Sequence, residues 1–576
     1  MVCQLRTSND SIAIEKDSGI SHSPAKKQVA DKERPDLLQA KPQKSSGKEQ
    51  KAHKKQSVIK SALAMAVGTF SSRILGFVRD AVMLALFPRA VTDAWVVAFR
   101  LPNMFRRLFG EGSLSVSFIP IYVEARTYSE ARARRLADGV FTIVLAIALF
   151  ISVVCFVYMD EIMRYLVDDP RGFGATPGKV EQTIYLSRIM IFYLVLVTTY
   201  AYHMAIANTL GHFFIPGMAP TLFNFGLILF TVMPWELGRY AGSAQSWGVI
   251  AGGILQAGVV VWLLVKEGVL PRLTWRWRDP DVGRVFLNMV PGLFGLGVFQ
   301  VMTVVNTKFA ARLGEGAQSY IYAADRVLEL PQALIAVSLG AALLPRFSEL
   351  NSRGDRKAFL QEANQAVRLL LYLSLPAAVG MWVLAMPITQ VLFMRGAFNQ
   401  ADADGTASVV SIYAVLLLFS SLSRVTAPAF YALKNTWLPA GVAFFVLVLH
   451  ISVGNELVNN FGLNGLAAAT SASAILNIFI LQLCFRYWIG PLGFAQITLS
   501  VLRLVPGLIG LGLFCHFGYS WALEVIERLV PLREARILSL GLVIVMGGMV
   551  YLSLTMLTGS EAGEKVLGIL RRRLKR

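Results

Sequence analysis

Long apolar runs, separated by short polar segments, dominate the chain. Most runs are about 20 residues or longer, the length that an α-helix needs to cross the hydrocarbon of a bilayer. Barrel strands would be about half that length and would alternate in polarity, which these runs do not. The pattern predicts fourteen membrane spans, at about 61–87, 91–124, 137–158, 183–209, 217–234, 247–266, 283–311, 318–347, 365–385, 406–432, 438–458, 462–487, 498–519 and 536–557. Residues 1–57 are polar, rich in Lys, Ser and Gln, and lack the apolar core of a signal peptide. They read as a disordered cytoplasmic tail.

Charge between the runs tests this count, because cytoplasmic loops collect Lys and Arg. Arg126, Arg132, Arg134 and Arg135 follow the second span. Lys266, Arg272, Arg276 and Arg278 follow the sixth, and Arg353, Arg356 and Lys357 follow the eighth. The opposite loops carry Asp160, Glu161, Asp168, Asp169, Asp402 and Asp404. Arg533 and Arg536 are an exception, balanced by Glu524, Glu527 and Glu534. An even number of spans with both termini cytoplasmic fits, and residues 561–576 form a basic cytoplasmic tail ending in Arg571, Arg572, Arg573, Lys575 and Arg576.

The chain also repeats itself. Arg100 in Ala98-Phe99-Arg100 and Arg326 in Ala324-Asp325-Arg326 stand 226 residues apart, and Pro120 and Pro345 stand 225 apart. Pro216 and Pro439 are offset by 223, and Gly248 and Gly465 by 217. Six spans per copy is an even number, so the copies share an orientation. The expected fold is an all-α polytopic membrane protein with two parallel six-helix lobes, at 58–280 and 281–492. Two further helices at 493–560 lie outside the repeat. Parallel lobes place a substrate site at their interface.

Composition agrees with the pattern. Of the 576 residues, 55% are hydrophobic and 16% charged, and mean hydropathy is +0.55. Soluble domains carry about 25% charged residues. The net charge of +19 would suggest nucleic acid in a soluble protein, but here it reads as a topology signal. Cys3, Cys155, Cys484 and Cys515 are too scattered for a disulfide framework or a metal site. No Walker A pattern, zinc motif or nucleophile elbow occurs, so nothing points to an enzyme or a bound cofactor. Transport would draw on the membrane potential, an ion gradient or the substrate's own gradient.

The candidate chemistry is a set of arginines inside the spans: Arg73, Arg79, Arg100, Arg106, Arg107 and Arg326. Each would cost about 2.5–3.5 kcal/mol at a bilayer centre. They are tolerable only around a shared wet interior, where guanidinium groups suit a phosphate or pyrophosphate. Arg79 has a plain alternative, pairing with Asp80 or reaching the interface. Asp93, Arg100 and Arg107 are spaced by seven and fall on one stripe of an ideal helix, although Pro102, Gly110 and Gly112 interrupt ideality. Asp93 admits three roles: a gate, a cation partner or a salt-bridge acceptor. Glu111 closes the second-span group. In the eighth span, Arg326 is expected to face the cavity with Glu329 as its partner three residues on. His203, His450 and His516 show no ligand spacing and read as packing or interface residues.

These residues carry a resemblance. Ser72-Arg73-Ile74-Leu75-Gly76-Phe77-Val78-Arg79-Asp80 resembles the start of the MurJ (MviN) family of lipid II flippases. So do Thr92-Asp93-Ala94, Ala98-Phe99-Arg100-Leu101-Pro102-Asn103, Arg106-Arg107-Leu108-Phe109 and Glu111-Gly112. Tyr322-Ala323-Ala324-Asp325-Arg326 with Leu330-Pro331 matches the second lobe, and the likeness runs from about residue 58 to the end. It implies the fold of the multidrug/oligosaccharidyl-lipid/polysaccharide exporter superfamily, in a bacterial inner membrane. It implies an undecaprenyl-pyrophosphate-linked disaccharide-pentapeptide (lipid II) as substrate, flipped from inner to outer leaflet by alternating access. Family cavity arginines fall on Arg73, Arg79, Arg106 and Arg326, the functional acidic residue on Asp93 and a cavity serine on Ser319. The added last two helices are expected to hold the lipid tail. Some members bind sodium through an acidic residue in the seventh span, and 285–311 contains none.

Two readings compete with lipid II flipping. One is export of another polyprenyl-linked glycan or a cationic drug, although a drug exporter should offer carboxylates and aromatics instead of arginines. The other is a scaffold whose tails recruit cell-wall synthesis proteins, which would not need buried arginines.

Overall fold

The computed structural model describes residues 68, 70–110, 113–233, 237–275, 278–564 and 568. The tail at 1–57, Glu111, Arg276 and the basic run 571–576 lie outside the described residues. No strand occurs among those described. In chain order the helices of the first lobe are α1 (70–86), α2 (Arg89–Gly110), α3 (Ser113–Tyr128), α4 (Glu130–Val157), α5 (Met159–Val167), α6 (Lys179–Met190), α7 (Tyr193–Thr209), α8 (Phe214–Val232) and α9 (Ser243–Lys266). The second lobe comprises α10 (Pro280–Ala311), α11 (Ala317–Gln332), α12 (Ser338–Ser352), α13 (Arg356–Val383), α14 (Ala385–Phe393), α15 (Gln400–Ala432) and α16 (Trp437–Trp488). Then come α17 (Phe494–Glu527) and α18 (Leu532–Leu557).

Ten stretches among the described residues are long and apolar enough to cross a membrane. One is α16, whose 52 residues break at Gly462 (φ 57°, ψ −128°). His450 Nδ1 and Ser473 Oγ, 23 residues apart in sequence, lie 2.8 Å apart. A straight helix would hold them about 35 Å apart, so α16 is a helical hairpin and supplies two passes. Only glycine takes a positive φ readily, which is why the turn falls at Gly462. The three expected spans that do not appear among the ten are 61–87, 91–124 and 318–347. The first is described only over residues 68 and 70–86; the other two carry arginines, and 318–347 is further split by a π-helical turn at Ala333–Val337. Those two are lined by protein: residues Ala94–Ala98 of α2 are 0–1% exposed, and Ala323 and Ala324 of α11 are fully buried.

The repeat seen in the sequence extends to the helix caps. Ser129 accepts a hydrogen bond from Arg132 N to start α4, and Asp355 accepts one from Ala358 N to start α13. α4 ends at Tyr158 (φ −92°, ψ 19°) and α13 at Leu384 (φ −97°, ψ 17°). A nine-residue helix follows each, α5 and α14. Each of these pairs is offset by 226 residues, the offset of Arg100 and Arg326.

α10 belongs to both lobes. Val282, Val285 and Met289 near its start pack in the core of the first lobe, where Arg132 meets Asp281 at 2.7 Å. Val298 and Phe309 farther along pack against Ala443, Leu447 and Val458 of α16. α17 and α18 dock through α13: Tyr551 donates to the Tyr372 carbonyl at 2.8 Å, within a cluster holding Leu504, Leu511 and Val543.

Close backbone approach sets the α8–α9 crossing. A Cβ on Gly252 would lie 2.5 Å from the Phe223 carbonyl oxygen, and one on Gly226 would lie 2.9 Å from Gly252 Cα. Small residues at such a crossing let helices pack by van der Waals contact. Gly252→Val is therefore expected to destabilise the first lobe by about 1–3 kcal/mol. Gly258→Val, on the same helix with nothing within 4 Å, should be close to neutral. Thermal unfolding of the two variants in one detergent compares them.

Candidate substrate-binding site

Two clusters of polar side chains join the lobes, and they differ in water access. The first is built on arginines. Arg79 of α1 donates through Nε to Asp80 Oδ1 at 2.7 Å and through Nη1 to Asn224 Oδ1 of α8 at 2.9 Å. Asn224 also donates to the Ser72 carbonyl at 2.9 Å, so one amide fixes both the backbone of α1 and its arginine. From the second lobe, Tyr322 donates to Asp80 Oδ1 at 2.8 Å. Arg326 Nε lies 3.2 Å from Asp80 Oδ2 without the alignment of a hydrogen bond, while its Nη1 donates to Glu329 at 2.6 Å. Arg107 reaches the other oxygen of Glu329 at 3.4 Å. Arg106 donates to Asn103 at 2.8 Å. Arg73 is exposed and makes no hydrogen bond or ion pair with a described residue. Arg106 and Arg73 lie near enough to Glu329 for their charges to act on it alongside those of Arg326 and Arg107.

Among the described residues, five guanidinium groups thus gather around Asp80 and Glu329, with Asp325 also close enough to act on Arg326 and Arg107. Side-chain exposure rises along the cluster from 9% at Arg79 through 21% at Arg326 to 35% at Arg107, with Glu329 at 40%. Positive charge in excess at a partly wet site is what a multiply charged anion needs, and planar guanidinium forks match phosphate oxygens.

The second cluster is dry. Asp93 of α2 is 1% exposed and sits at the start of α11. Its Oδ1 accepts from Ser319 N at 2.9 Å and Ser319 Oγ at 2.6 Å. Its Oδ2 accepts from Gly316 N and from Lys179 Nζ, both at 2.8 Å. The Asp93 and Lys179 side chains are each 1% exposed. A carboxylate from one lobe therefore caps a helix of the other, where free N–H groups and the helix dipole favour negative charge. Arg89 continues the seam, pairing with Asp402 at 2.7 Å and donating to Tyr320, which donates to Asp402 at 3.0 Å. Ala397 N donates to the Ala85 carbonyl at 2.8 Å.

The stripe expected at Asp93, Arg100 and Arg107 forms the lobe interface. Asp93 meets Gly316 and Ser319, Arg100 donates to Thr307 of α10 at 2.6 Å, and Arg107 meets Glu329. α2 stays one helix through Pro102, which keeps the stripe in register. The structure brings Arg73, Arg79, Arg106, Arg107 and Arg326 together. Asp93 and Ser319 stand apart from them, in the dry seam. Arg100 lies between the two clusters, with Asp325 acting on its charge. Arg79 does pair with Asp80, and Arg326 with Glu329.

Sequence reading missed Lys179, Asn224 and the Arg89–Asp402 pair. Asn224, a lone amide within Phe223-Asn224-Phe225, was a legible signal; Lys179 at the edge of a span was not. His450 is also more than a packing residue, because it bonds to both Asn306 and Ser473.

Repeated helical lobes that close on a buried, charged interface define a membrane transporter, and the fold is that of the MOP superfamily. It aligns with an inward-facing multidrug transporter of the MATE family in that superfamily at a TM-score of 0.64 and 14% identity, over 73% of this chain and 95% of that one. It aligns with "Lipid II flippase MurJ, inward closed conformation" at a TM-score of 0.69 and 23% identity, over 89% of this chain and 100% of that one. The profile of the family described as "Lipid II flippase MurJ" matches residues 83–527, and the chain belongs to this family. A relative from Bdellovibrio bacteriovorus, "Probable lipid II flippase MurJ", is 39% identical over 516 residues, 89% of this chain and 97% of its own. "Lipid II flippase MurJ" of Burkholderia cenocepacia is 30% identical over 474 residues, 81% of this chain and 91% of its own.

Asp93→Ala leaves the buried Lys179 ammonium without its counter-charge and is expected to cost about 3–5 kcal/mol. Combining it with Lys179→Met should recover part of that loss, because the two effects are not additive. Thermal unfolding of the two single variants and the double variant measures the coupling. A loss in the double variant equal to the sum of the two single losses would mean that the ion pair contributes nothing.

Proposed function

We propose that this protein flips lipid II from the cytoplasmic to the periplasmic leaflet of a bacterial inner membrane by alternating access. The observation that carries the reading is the gathering of Arg73, Arg79, Arg106, Arg107 and Arg326 between two lobes. The pyrophosphate of the substrate lies against these groups. It competes with Asp80 and Glu329 for Arg326 and Arg107, so binding loosens links that now run from lobe to lobe. Family membership supplies the identity of the lipid; the geometry supplies only a polyanion.

In this reading the chain crosses the membrane fourteen times with both termini in the cytoplasm. The acidic loops beside the dry seam then face the periplasm, and the seam is the closed outer gate. The arginine cluster is reached from the cytoplasm, where lipid II is made. α17 and α18, outside the repeat, carry the lipid tail. The membrane potential or an ion gradient drives the cycle. Cell-wall synthesis proteins remain candidate partners of the tails.

Complementation in a bacterium depleted of its own lipid II flippase tests this. Wild type is expected to restore growth, and Arg73→Ala, Arg106→Ala and Arg326→Ala to fail at matched membrane levels. Arg73→Lys should rescue only partly, because a point charge does not replace a bidentate fork. Full activity of Arg73→Ala and Arg326→Ala would sink the anion site. Failure of wild type, with no binding of purified lipid II, would move the substrate to another polyprenyl-linked glycan. Deleting residues 1–57 should leave rescue largely intact; a scaffold acting through that tail would fail.

A further inference from the structure

His450 is a buried titratable group to which the arginine site assigns no task. It is 2% exposed and lies in the first half of the α16 hairpin. Its Nε2 is 2.7 Å from Asn306 Oδ1 of α10, and its Nδ1 is 2.8 Å from Ser473 Oγ in the second half of the hairpin. One ring therefore ties three helical segments together. The other buried histidine of the bundle differs: His203 Nδ1 meets only a backbone carbonyl of its own helix, and its Nε2 has no partner among the described residues.

The donors and acceptors around His450 fix where its protons sit. Asn306 donates through Nδ2 to Thr470 Oγ1 at 3.2 Å, and Thr470 donates onward to the Leu466 carbonyl at 3.0 Å. That chain orients the amide and presents Oδ1, an acceptor only, to the ring. With the amide so oriented, Nε2 donates to Oδ1, and Nδ1, which faces Ser473 Oγ, with the ring also near the Ala469 carbonyl, is the nitrogen that titrates. Ser473 accommodates both states by turning its hydroxyl. In the neutral ring, the hydroxyl donates to Nδ1. When Nδ1 takes a proton, its N–H donates to Ser473 Oγ, and the hydroxyl donates to the Ala469 carbonyl 2.9 Å away.

Charged neighbours are turned elsewhere. On α10, Lys308 stacks 3.5 Å from the Tyr165 ring; just past its end, Arg312 lies over the Phe309 ring that packs on His450 and donates to Asn455 at 2.6 Å. Glu456, farther along the same half of α16, accepts from Asn455. The second half of α16 has no charged residue from Leu463 to Phe485, and α15 has none from Gly405 to Ser423. No charged group among the described residues acts on the ring. An imidazolium here would be a cation in a dry, apolar interior without a counter-ion, which strongly disfavours it. Protonation therefore opposes the packing of α10 on α16 seen here. That packing reaches the lobe interface within one residue, because Thr307, next to Asn306, takes the hydrogen bond from Arg100 of the first lobe.

We propose that His450 is a proton-binding site whose occupancy controls the packing of α10 and, through Thr307 and Arg100, the opening of the lobes. The ion to which transport responds is then the proton. The transport part of this statement rests on the flippase reading; the conformational part does not.

The test uses the full chain in proteoliposomes, with nitroxide labels on Arg171→Cys and Asp404→Cys, exposed positions on either side of the dry seam. Native cysteines are replaced by alanine. Lowering pH across the histidine range, from about 8 to about 5, is expected to shift the label distances toward a longer population. One coupled proton changes the ratio of the two populations by up to about tenfold per pH unit. His450→Gln, which retains an N–H for Asn306 but does not titrate, should abolish the shift. The same shift in His450→Gln, or none in wild type, overturns the proposal. If His450→Gln does not fold, histidine-labelled wild type decides by nitrogen NMR: titration of the His450 Nδ1 together with the distance change supports the site, and a ring that never titrates removes it. Lipid II flipping under an imposed pH gradient is measured in parallel. Absence of flipping in wild type at any gradient counts against the proposed function, while the distance measurement still judges His450.

Discussion

A guanidinium group inside a membrane must face either another charge or water, and this requirement organises the whole molecule. The arginines of α2 and α11 are poorly compatible with lipid, and the helices that carry them are enclosed by other helices. Residues of α2 beside Arg100 are nearly or fully buried, and α11 is similarly enclosed. The lipid-facing work falls to helices such as α4, α9, α17 and α18, whose exposed side chains include Phe150, Trp262, Leu513 and Val545. Interior polar helices and exterior apolar ones are two consequences of one solvation cost.

The same cost separates the lobe interface into two regions with different chemistry. In the dry seam, both oxygens of Asp93 are fully occupied by a lysine, two backbone N–H groups and a hydroxyl. A buried polar group so satisfied holds one geometry firmly. In the arginine cluster, Asp80 and Glu329 are shared among several of the described arginines, and Arg107 and Glu329 are partly exposed. α2 joins the regions, because its heptad spacing points Asp93, Arg100 and Arg107 at successive levels of the opposite lobe. Movement at one level is therefore felt at the others.

α10 is the mechanical counterpart of that stripe. It starts in the core of one lobe and ends in the core of the other, so rearrangement of the lobes must bend or shift it. Its polar residues Asn306 and Thr307 face opposite obligations, one to His450 within the second lobe and one to Arg100 across the interface. The equal offsets at the caps of α4 and α13 show how far the duplication has been kept in backbone geometry, down to two nine-residue helices. The two halves differ where the chemistry lies: His450, Asn306 and Ser473 have their network in the second lobe alone.

By itself the sequence determined the class of fold, the repeat and the identity of most charged groups in the site. Those features depend on local quantities: run length, hydropathy, spacing by seven and loop charge. It also gave the Arg326–Glu329 pair, because partners three residues apart meet on any helix, and it left Asp80 open as a partner for Arg79. The tertiary structure decided the rest. It placed Lys179 against Asp93, Arg89 against Asp402 and Asn224 between α1 and Arg79, contacts between residues far apart in the chain. It moved Asp93 and Ser319 out of the arginine site and into a helix cap, and it turned His450 from an isolated histidine into the centre of a network. A side chain's burial and its distant partners are set by how helices cross, and spacing along one helix carries no record of that.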